Sequence, residues 1–110
     1  MKTLGIALTL LLVSTVSVNA ENSKPSDLLN ESLPKRMDLI LQCDEWSATR
    51  QPDVAGALTC GLIRESILLT MAIEHCGVSS EKDDLSRETQ KVRNCAYREY
   101  RDYKVKYRTF

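Results

Sequence analysis

The sequence predicts an all-α protein, a small disulfide-stapled bundle of three main helices over about residues 34–48, 52–76 and 81–108. Three observations carry this reading. From Pro52 to Gly77 apolar residues return every three or four positions, the spacing of a helical stripe. Four cysteines, Cys43, Cys60, Cys76 and Cys95, stand in one short chain. No stretch alternates long enough for a strand, and Leu85 to Tyr107 contains neither Gly nor Pro.

The first twenty residues are read as a cleaved signal peptide. Lys2 gives a positive start, Ile6 to Val18 is apolar, and Val18-Asn19-Ala20 presents small residues where a signal peptidase reads. The run is short for a membrane span, and every later apolar stretch is interrupted by charge, so no transmembrane segment is expected in the mature chain. The remaining residues, 21–110, make a single domain with room for one modest core. It is exported, to the periplasm of a bacterium or otherwise secreted. Without Lys2 there are 14 Lys+Arg against 15 Asp+Glu. That balance argues against nucleic-acid binding. It is uneven, however: from Arg93 onward six basic residues face two acidic ones.

Ser26 is the expected N-cap of a short helical turn near Leu28. The first long helix starts near Pro34, which suits a first turn because its missing N–H costs nothing there. Met37, Ile40 and Leu41 form one stripe, and Leu39, Cys43 and Trp46 a second beside it. Trp46 is read as a core plug. Thr49-Arg50-Gln51 is a short linker, so the first two helices are expected to run antiparallel.

The second helix, 52–76, is apolar over much of its circumference and is therefore the central one, ending at Gly77. Cys43 and Cys60 fall within about a turn of being level across the linker, so a Cys43–Cys60 bridge is natural. Cys60 and Cys76 lie about 24 Å apart along one continuous helix, too far to bridge. The favoured set is Cys43–Cys60 with Cys76–Cys95; a break near Gly61 would open Cys60–Cys95 instead. Ser79 and Ser80 are cap candidates for the third helix. A start there would set Cys95 level with Cys60, so the pairing asks for a later start, beyond Asp83-Asp84, or a steep crossing.

The most distinctive functional feature is a C-terminal ridge. Tyr97, Tyr100, Tyr103 and Tyr107 recur in steps of three and four, with Arg98, Arg101 and Lys104 alongside. Tyrosine and arginine are enriched at protein–protein hot spots, so these seven residues are the candidate partner-binding set. The plainer reading packs the ridge half-buried against the other helices. No catalytic set is expected. His75, the only histidine, neighbours Glu74, but adjacent helical residues point about 100° apart. The pairs Asp44–Glu45 and Asp83–Asp84 are likewise adjacent. There is no metal motif, no phosphate loop and no cofactor signature.

Cys43, then Cys60-Gly61-Leu62-Ile63 opening a long helix that ends at Cys76, resembles the small periplasmic immunity proteins of type VI secretion amidase effectors. The likeness covers about 35 residues. The chain departs from it at Gly77-Val78-Ser79-Ser80, where that family carries a proline-containing turn. Its last cysteine also comes sooner. The resemblance implies an all-helical periplasmic protein that plugs a partner hydrolase. The expected function is an exported, non-enzymatic inhibitor or immunity-type protein that binds one protein partner. The other readings are an envelope assembly factor that dimerises through the ridge, or a small-ligand or lipid carrier.

Overall fold

Seven consecutive residues, Ser66 to Ala72, are buried, which no helix achieves with a neighbour on one side only. They belong to the central helix of the computed structural model, which describes residues 23–49 and 54–109. The expectations for the signal peptide at 1–20 and for the turn at Arg50, Gln51 and Pro52 lie outside the described residues. The elements are a 3-10 turn at Pro25–Leu28, α1 at Leu33–Thr49, α2 at Val54–His75 and α3 at Gln90–Arg108. No strand occurs among the described residues.

α1 starts one residue ahead of Pro34 and includes Thr49, which the sequence assigns to the linker. Ser32 supports its first turn: its Oγ accepts from the Lys35 N–H at 3.2 Å and its carbonyl from the Arg36 N–H at 3.1 Å. Met37, Leu39, Ile40 and Cys43 are buried, while Leu41 and Trp46 pack half-buried against the same core. Trp46 is thus a rim piece of the core.

α2 faces α1, α3 and the 3-10 turn. Ile63, Ile67, Leu69 and Ala72 are fully buried, and Leu28 reaches in from the 3-10 turn at 1% exposure. By length and composition α2 could cross a membrane, despite Arg64, Glu65 and Glu74. Two-thirds of its apolar window is buried against the rest of the fold, so here it is the core of the bundle. Gly77 follows it at φ 78°, the left-handed conformation that ends helices, and the Val78 N–H returns to the Ala72 carbonyl at 3.2 Å.

The third helix corrects the expectation. It begins at Gln90, not near residue 81, and its cap is Thr89, whose Oγ1 accepts from the Val92 N–H at 3.3 Å, not Ser79 or Ser80. The reason is local. The Asp84 carboxylate takes both the N–H (3.0 Å) and the hydroxyl (2.7 Å) of Ser86 and turns the chain there. Leu85 is then drawn into the core at 5% exposure. Ser26 is also displaced from its expected role. It lies inside the 3-10 turn and ties that turn to the loop, donating from its N–H to the Asp83 carbonyl (3.1 Å) and from its hydroxyl to the Asp83 carboxylate (3.2 Å).

The late start sets Cys95 opposite the end of α2. The disulfides are Cys43–Cys60 and Cys76–Cys95, with Cα–Cα distances of 5.9 and 6.0 Å, and all four cysteines are paired. From there α3 packs on α2 and reaches α1 with its last turns. Lys104 Nζ meets Asp44 at 2.5 Å, and the Tyr107 hydroxyl donates to the Asp38 carboxylate with the Pro34 carbonyl also within reach at 3.3 Å.

Candidate binding site

The tyrosine ridge divides when α3 docks. Tyr100 is buried at 6% exposure, and Tyr103 and Tyr107 are half-buried against the core, their ring centroids 6.0 Å apart. The Tyr107 hydroxyl is pushed up to about 12, first by its hydrogen bond to Asp38. Lys104 is committed as well, to Asp44 and, 5.5 Å away, to the face of Tyr100. These four residues of the expected set fasten α3 to the bundle. Of the candidate set, Tyr97, Arg98 and Arg101 remain on the outside, with Tyr97 at 43% exposure.

The outer face is wider than the sequence indicated. Asn94, Tyr97, Arg98, Arg101, Val105 and Arg108 fall within about a third of the helix circumference. All are exposed, Val105 at 63%. Neither Arg98 nor Arg101 is ion-paired among the described residues. Of the acidic residues of α3, Glu99 lies off this face, while Asp102 flanks it one turn on from Arg98 without ion-pairing to it among the described residues. Val105 was no part of the expected set because an isolated valine in a charged helix carries no signal before the inner face is known.

Beside Tyr97 the surface falls into a cleft of about 460 Å³ between α2, the 82–86 loop and the first turns of α3. Pro25, Leu68 and Ala96 give it apolar walls; Glu65, Asp84 and Arg93 give it charge. Burial pushes the Glu65 carboxyl up and Asp84 adds to this, against the pull of Arg64. Asp84 itself is held below the usual aspartate range, chiefly by its bonds from Ser86. The two carboxyl groups therefore differ in environment although they line one cleft.

A second hollow, about 400 Å³, has Arg36 in its wall. Sequence reasoning passed over this residue, yet it is only 3% exposed. Its Nε donates to the Glu31 carbonyl at 3.1 Å; its Nη1 donates to the Ser66 carbonyl (3.0 Å) and to the hydroxyls of Ser66 (3.2 Å) and Thr70 (2.9 Å). Burial pulls its pKa below the ordinary arginine value, with Glu31, Glu74 and Tyr103 opposing. The signal was present on the partner helix: two hydroxyls four residues apart, Ser66 and Thr70, in an otherwise apolar run.

His75 is exposed, with its Nε2 3.9 Å from the neighbouring Glu74 carboxylate. No group of three or more metal-ligating side chains occurs among the described residues. No family model, curated protein or solved structure matches the chain. The fold and its surface thus define an all-α, two-disulfide bundle with a basic helical face, not ion-paired among the described residues, beside a charged cleft.

Proposed function

We propose that the protein is an exported helical binding protein of the inhibitor or immunity type, which captures a protein partner on the outer face of α3. The observation that carries this is the pairing state of that face: Tyr97, Arg98 and Arg101 stand exposed, and neither arginine has a counter-ion among the described residues. Here aromatic and guanidinium groups adjoin a cleft, on a helix anchored by Cys76–Cys95 and the Lys104 and Tyr107 contacts. Such preorganisation lowers the ordering cost of association. The two disulfides suit an oxidising, exported setting.

The test uses the oxidised protein as bait in extracts and supernatants of its own source. Tyr97→Ala with Arg101→Glu touches only exposed positions, so circular dichroism should show the bundle unchanged while capture is lost. A stoichiometric partner held equally by both baits would sink the assignment of the face. No partner for either bait would sink the binding reading itself.

A further inference from the structure

Resting on that reading, we infer that the partner surface which docks on α3 is a protein patch rich in carboxylates. Two exposed apolar side chains, Tyr97 and Val105, stand about 12 Å apart along the helix and bracket Arg98 and Arg101. Arg108 extends the basic stripe by about two turns. Guanidinium forks match carboxylates in bidentate geometry, and an unpaired fork loses no existing ion pair when it engages one.

The alternatives fit the surface less well. A second copy docked by two-fold symmetry would bring two basic stripes together, and like-charged patches oppose association. A flat anionic bilayer pressed on Arg98 and Arg101 would bring its headgroups against carboxylates on both flanks. Asp102 lies on one side, and Glu65 and Asp84 line the cleft beyond Tyr97 on the other. A protein can present the inverse pattern, with carboxylates opposite the stripe and other groups over the cleft. Long-range attraction between such patches speeds encounter and weakens with salt.

The experiment compares three oxidised baits against the captured partner: wild type, Arg98→Glu with Arg101→Glu, and Arg87→Glu with Lys106→Glu, which changes net charge equally at exposed positions off the face. The expected result is an association rate lowered about 10- to 100-fold for the first variant alone at low salt, with the difference shrinking as salt rises. Poly-L-glutamate should displace the partner and poly-L-lysine should not. A partner that binds all three baits alike overturns the carboxylate inference while leaving the binding reading standing. Retention of wild type, but not Arg98→Glu/Arg101→Glu, on phosphatidylglycerol–phosphatidylcholine vesicles with no protein captured assigns the face to lipid and overturns both. Neither protein nor vesicle bound also overturns both.

Discussion

At the scale of single residues, Arg36 shows how a charge can be held inside a small core. It is 3% exposed and satisfied by carbonyls and hydroxyls, with no carboxylate within ion-pair distance among the described residues. Its stem packs while its donors clamp α1 to the middle of α2. Arg36→Ala removes both and should cost about 2–3 kcal/mol in urea unfolding at pH 7. Arg36→Met keeps the stem and abolishes the desolvated charge, so its loss should be clearly smaller. Equal losses would show that the guanidinium bonds, not the packing, carry the effect. The tyrosines teach the complementary lesson. Their spacing correctly places Tyr100, Tyr103 and Tyr107 on one side of a helix, yet that side faces the bundle. Periodicity identifies a face; what the face meets depends on the other helices.

At the scale of elements, α3 differs from α1 and α2. Only Ala96 and Tyr100 are buried along its nineteen residues, so it depends on tethers: the disulfide to α2, and the Lys104 and Tyr107 contacts to α1. Replacing Cys76 and Cys95 together by alanine should lower stability by about 3 kcal/mol, the cost of reopening a loop of this size. Amide hydrogen exchange should rise first in Gln90–Arg108, with the Ser66–Ala72 core of α2 the last to open. Uniform loss of protection would mean that α3 is no separate unit. The helix itself was legible from its composition, and the cysteine pairing favoured a start beyond Asp83-Asp84, but its position at Gln90 was not legible. Asp84, Leu85 and Ser86 read as helix-compatible residues, and the turn depends on the Asp84–Ser86 hydrogen bonds and on the burial of Leu85.

At the scale of the whole molecule, opposing carboxyl shifts shape the response to pH. Asp84 is held low, so its contribution is present above its ordinary 3.8 and is lost as pH falls through its folded value. Glu65 is raised, so the fold gains from its protonated form below the ordinary 4.5 and loses that gain as pH rises through the elevated value. Between these two limits both contributions are present. Glu65→Gln should gain less than about 0.5 kcal/mol at pH 7, a partly exposed group being screened, and nothing at pH 4. Thermal melts at both pH values check this, and a larger gain at pH 4 would reverse the assignment. The all-α class, the central place of the second helix and the favoured cysteine partners were all readable before any packing was known. Each follows from local periodicity or from distances along one rigid helix, quantities a linear chain contains. The start of α3 at Gln90, the division of its ridge into an anchored and an exposed part, and the burial of Arg36 emerge only when the helices pack. Those depend on which surfaces meet, and burial is a property of the pair of surfaces.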